Sequence, residues 1–192
     1  VSGHVEMGLF ATTSLGFSYV LSKLDLMRGN PIFRAASLIE GVGAGAFTLV
    51  GLGIIENPLF ANDPVGGRTV FSTLIPAYLL PGAVAAIAAR AARGVRPNWY
   101  VTGLAILALT LLFGYVTLEV RHAFQGERIG FFRRTFAPEI WSYSAAWLAL
   151  GLAFLGYGLM RGSLEARLAS AALIVLSVVK VFLFDLSGIT GL

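Results

Sequence analysis

Tyr100–Leu118 reads YVTGLAILALTLLFGYVTL, nineteen residues without one charged side chain. An α-helix rises 1.5 Å per residue, so about 20 such residues cross the roughly 30 Å hydrocarbon core of a bilayer. Only a helix or a closed barrel satisfies its own backbone there, and barrel strands are about ten residues long with strict alternation. This run is twice that length and unbroken, so it reads as a spanning helix. Working outward, similar stretches cover Val70–Ala89 and Pro31–Ile55 on one side, and Trp141–Met160 and Leu164–Leu186 on the other. Val5–Leu24 is a sixth, the most polar, holding Glu6 and Thr12-Thr13-Ser14. The expected fold is all-α: a polytopic transmembrane bundle of about six helices, spans 5–24, 31–55, 70–89, 100–118, 141–160 and 164–186, forming a single module over 1–192.

Composition agrees. Hydrophobic residues make up 57% of the 192 and charged residues 12%, about half the charge a soluble domain carries to face water. The bilayer is therefore the first partner expected, with other membrane helices beside it. The net charge of +4 reflects arginines in connections. No basic run interleaved with aromatics points to nucleic acid. Cysteine is absent, which excludes disulfides, thiolate metal sites and cysteine nucleophiles. His4 and His122 are too few and too scattered for a metal site. No phosphate loop, nucleophile elbow or HExxH is present, so no catalytic residue, cofactor or metal is expected. The start at Val1 and the stop at Gly191-Leu192 read as a piece of a longer chain.

Orientation follows the excess of Lys and Arg in cytoplasmic loops. Lys23, Arg28, Arg34, Arg90, Arg93, Arg96, Arg161 and Arg167 fall on one side, and Arg68, Arg121, Arg128, Arg133 and Arg134 on the other. Both ends of the segment are accordingly expected outside.

Charges inside spans need an explanation. Lys180, in LIVLSVVKVFLFDLSG, costs about 2.5–3.5 kcal/mol at mid-span. Asp185 lies about 140° round the same helix, so Glu6 and Glu119 from other helices are the expected partners. The group is either a structural ion pair or an ion-coupling site. Glu40, nine residues into the second span, precedes a Gly41/Gly45 ridge that admits a close helix. It reads as a proton relay or as a neutral acid bonded to a neighbouring helix. Pro76 and Pro81 predict a kink in the third span. In EVRHAFQGERIGFFRRTFAPEI, Arg128, Arg133 and Arg134 alternate with Phe131, Phe132 and Phe136, the pattern of an interfacial segment contacting anionic groups.

Several stretches carry a family resemblance: KVFLFDLSGITGL (Lys180–Leu192), the preceding WSYSAAWLALGLAFLGYGL (Trp141–Leu159), LEVRHAFQG (Leu118–Gly126), NPLF (Asn57–Phe60) and LIPAYLLPG (Leu74–Gly82). Together they are similar to the C-terminal part of a bacterial family of membrane proteins catalogued as domain of unknown function 2339. The resemblance implies a multi-pass protein of the bacterial inner membrane, continuing past this segment with further spans. It implies no activity and no site residues. The function expected is that of a transporter-like protein, with a structural module of a cell-envelope complex and a transferase acting on lipid-linked substrate as alternatives.

Overall fold

The computed structural model describes residues 2–185, the side chains of residues 184 and 185 excepted. Helix α1 (Gly3–Arg28) ends at Gly29, whose left-handed backbone at φ 62° returns its N–H to the Asp25 carbonyl. That geometry suits glycine and reverses the chain. Asn30 then caps α2 (Pro31–Val50), accepting the Ile32 N–H at 2.9 Å, with proline in the first turn. Helix α2 continues into a π-turn (Gly51–Ile55), followed by the one-turn α3 (Pro58–Ala61).

Strands β1 (Gly67–Arg68) and β2 (Phe71–Ser72) form a two-residue hairpin, Gly67 opposite Ser72 and Arg68 opposite Phe71. The expected third span therefore begins later than Val70. A π-turn (Ile75–Leu79) leads into α4 (Leu80–Ala92). Pro76 opens the π-turn, so the expected kink takes the form of this widened turn. Helix α5 (Asn98–Gln125) and helix α6 (Ala137–Arg161) overrun their apolar stretches at both ends, and α7 (Leu164–Lys180) closes in a third π-turn (Val181–Asp185).

Helices α1, α2, α4 and α5 pack as one bundle, and α6 and α7 form a hairpin that joins it along α5. The bundle core sets leucines of α5 (Leu104, Leu107, Leu111) against alanines of α4 (Ala85, Ala88, Ala89), with Ala11 and Leu15 of α1 also buried. In the hairpin, Gly151 and Gly158 of α6 meet α7 closely. A Cβ on Gly158 would lie 3.0 Å from the Arg167 nitrogen, the small-residue contact typical of helices in lipid. Large apolar side chains such as Phe17, Ile39, Ile106, Leu152 and Val175 remain exposed around the outside. A soluble monomer rarely shows so continuous an apolar belt. Among the described residues five helices are long and apolar enough to cross a membrane: 31–61, 75–92, 98–125, 137–161 and 164–183. The sixth, α1, packs against both α2 and α4.

Candidate functional site

The chemistry-bearing side chains gather at the two ends of the molecule. At one end, the last two turns of α1 and the first two turns of α2 converge on Arg96, just before α5. Its guanidinium donates to Asp25 Oδ2 at 2.7 Å, Ser37 Oγ at 2.8 Å and Ser22 Oγ at 3.2 Å. Arg34 Nε reaches the same Asp25 oxygen at 3.3 Å. Ser18 donates to the Ser37 carbonyl at 2.7 Å and lies 2.9 Å from the Tyr100 hydroxyl. Burial pushes the Asp25 carboxyl up, but the bonds and charges of Arg96 and Arg34 outweigh it and hold the group below its ordinary range. Asp25 Oδ1 is buried and has no hydrogen-bond partner among the described residues.

At the opposite end, Arg121 on α5 is buried with fully buried Glu139 on α6. It donates to Glu139 Oε1 at 3.1 Å, to the Ile129 carbonyl at 2.7 Å and to the Gly130 carbonyl at 2.8 Å. Gln125 donates to Glu139 Oε2 at 2.6 Å, and the Tyr143 hydroxyl to Oε1 at 2.9 Å. Two residues before Arg121, Glu119 accepts from the Ser72 hydroxyl and from the Val70 N–H at 2.9 Å, with His122 Nδ1 at 3.3 Å. Tyr115 donates to the Val70 carbonyl at 2.8 Å. These bonds hold Val70 at φ 74°, a conformation unfavourable for a β-branched residue. Nearby, Thr73 gives its proton to the Val65 carbonyl and so accepts from His4 Nε2 at 2.9 Å. His4 is thus the Nε2–H tautomer, its Nδ1 buried without a partner among the described residues. Burial lowers its pKa, against a smaller raising effect from Asp63.

Among the described residues, Glu6, Glu40 and Glu119 are not brought to one another or to Lys180. Glu40 is half-buried on α2 and has no hydrogen bond or ion pair among the described residues. Lys180 is half-buried and donates to the Ile140 carbonyl at 2.7 Å and to Ser144 Oγ at 2.8 Å, both on α6. Neither expected carboxylate pairs with it: Glu119 is turned to the hairpin and Glu6 is exposed in the first turn of α1. The bonds to Ile140 and Ser144 form because α6 and α7 run close enough for the ammonium to reach across. The side chain of Asp185 lies outside the described residues. Arg128, Arg133 and Arg134 are exposed in the α5–α6 connection, Arg133 donating to the Gln125 carbonyl at 3.2 Å.

Sequence reading missed both buried ion pairs, since Arg96 and Arg121 read as ordinary loop cations. A signal was present for Asp25: Ser18, Ser22 and Asp25 share one face of α1 at spacings of four and three, a polar stripe that needs a partner. Arg121 carried no such mark, because Glu139 lies 18 positions away on another helix and its other acceptors are backbone carbonyls of an irregular connection.

A family described as "Predicted membrane protein (DUF2339)" matches residues 3–192. No curated protein and no solved structure matches the chain. With the exposed apolar belt, the long helices and a match over nearly its whole length, the chain belongs to the DUF2339 family of multi-pass membrane proteins.

Proposed function

We propose that this chain is a structural module of a larger assembly in the bacterial inner membrane, crossing six times with both ends outside. The observation that carries the reading is the disposal of its buried charges. Arg96 with Asp25 ties α1 to the start of α5, Arg121 with Glu139 ties α5 to α6, and Lys180 ties α7 to α6. Each ion pair is bonded on several sides, and such a network fixes helix registry. Helix α1 crosses with the others in this reading, Thr12 and Thr13 bonded to carbonyls of their own helix and Ser18 to α2.

The transporter-like reading is favoured by Glu40, an acid inside a span with no bonded neighbour in the described chain, and by π-turns in the α2 and α4 rods, which often mark functional sites. The transferase reading rests on the arginines of the α5–α6 connection. Accumulation and uptake separate these readings. A structural module loses folded protein in Glu139→Gln and Lys180→Ala, while Glu40→Gln accumulates like the parent and leaves vesicle ion permeability unchanged. A transporter instead requires Lys180→Ala and Glu40→Gln to insert and fold normally yet lose coupled uptake. A transferase requires Arg133→Ala and Arg134→Ala to reduce turnover of an envelope precursor.

A further inference from the structure

A lateral groove runs between the end of α2 with its π-turn and the second half of α5. It measures about 210 Å³, narrower than the about 300–1,000 Å³ of pockets for compact ligands. Leu52, Gly53, Phe113 and Gly114 line it, and its open side is edged by Leu49 and Thr110, both exposed toward the apolar belt. At one end it reaches Asn57 and Leu59. There the Leu59 carbonyl accepts the Phe131 N–H at 2.7 Å, so the cationic connection is fastened to the groove's end. Phe131 stacks near Phe60 at 6.2 Å between ring centroids, and Phe132 is fully exposed. Between Arg128 and Glu139 the chain has no acidic residue, and Glu139 is taken by Arg121. Arg128, Arg133 and Arg134 therefore stand exposed with no carboxylate partner among the described residues.

We propose that this groove and connection form a binding site for one anionic phospholipid of the bilayer. An acyl chain lies between α2 and α5, the phenyl rings enter the interface, and the headgroup phosphate meets the arginines. The apolar lining, the lateral opening and the charge complementarity at one end select a lipid over a compact solute. The inference is independent of the structural reading above.

Trp147 reports on the groove directly. Its ring lies 4.9 Å from that of Phe113, and its Nε1–H donates to Thr117 at 3.1 Å; both partners line the groove. The full chain carrying Trp99→Phe and Trp141→Phe, both at exposed positions, is reconstituted into phosphatidylcholine vesicles. Fluorescence is read as brominated phosphatidylglycerol or brominated phosphatidylcholine replaces part of the lipid. The site predicts at least twofold stronger quenching by the anionic lipid at equal mole fraction. That preference disappears in the Arg128→Gln, Arg133→Gln, Arg134→Gln triple variant. It also falls in Gly53→Leu, which fills the groove from a position where an added Cβ meets nothing within 4 Å. Equal quenching by the two lipids in the parent overturns the proposal, as does a preference that survives either variant.

Discussion

Arg121 holds four acceptors at once: Glu139 and the carbonyls of Ile129, Gly130 and Arg133. Arg121→Gln removes the charge and leaves Glu139 buried beside two remaining donors, Gln125 and Tyr143. Removing one member of a buried pair costs about 3–5 kcal/mol, whereas replacing both with apolar residues is far less damaging. The Arg121→Met, Glu139→Met double variant is therefore expected to melt above either single variant in detergent, a strong coupling in the cycle. His4 gives a pH-dependent term. Its folded pKa lies below the ordinary value of 6.5, so as pH falls through that value the unfolded chain takes up a proton that the folded one refuses. Stability contributed by neutral His4 is complete above 6.5 and declines below it until the lowered folded pKa is reached. Melting temperature should drop on acidification from pH 7 to 5, and the drop should shrink in His4→Asn. A drop of unchanged size in that variant would assign the pH dependence to another group.

Among the elements, α1 is the most revealing, because composition marks it as the weakest span while packing puts it between α2 and α4. Gly8 lies against the backbone of Ala77 in the second π-turn, where an added Cβ would collide with main-chain atoms. Gly16, two turns further along, has nothing within 4 Å of such a Cβ. Gly8→Ala is expected to destabilise by about 1–3 kcal/mol, the range for overpacking, while Gly16→Ala is neutral or slightly stabilising through helix propensity. Equal melting of the two variants would show that α1 does not seat on the π-turn. The long helices were legible because hydropathy and length are local properties of the chain. The hairpin at Gly67–Ser72 was not, since Val70 reads as a span residue until Glu119, 49 positions away, captures its N–H. The bond from Lys180 to the Ile140 carbonyl escaped for a similar reason: a backbone acceptor leaves no mark in side-chain identity. Arg96 was misread as a loop cation because only the fold brings Asp25, Ser22 and Ser37 around it.

Across the whole molecule the charges are unequally divided. At the end holding the α1–α2, α4–α5 and α6–α7 connections, Lys23, Arg28, Arg34, Arg90, Arg93, Arg161 and Arg167 are exposed. At the other end the exposed cations are Arg68, Arg128, Arg133 and Arg134, since Arg121 is buried in its ion pair. Burial takes one arginine from each end, Arg96 and Arg121, so the asymmetry visible in the sequence persists, and in the proposed orientation the more cationic end faces the cytoplasm. The native chain lacks cysteine, so single substitutions report cleanly. Phe132→Cys should react with an impermeant maleimide in intact spheroplasts, and Val95→Cys only after the membrane is opened. The reverse pattern would invert the assignment.

The most direct measurement of the structural claim is a side-by-side thermal melt, in the same detergent, of the parent, Glu139→Gln and Glu40→Gln. A bundle held by its bonded charges predicts a clear fall in melting temperature for Glu139→Gln and a curve superimposable on the parent for Glu40→Gln. A Glu139→Gln protein that melts with the parent would contradict the account.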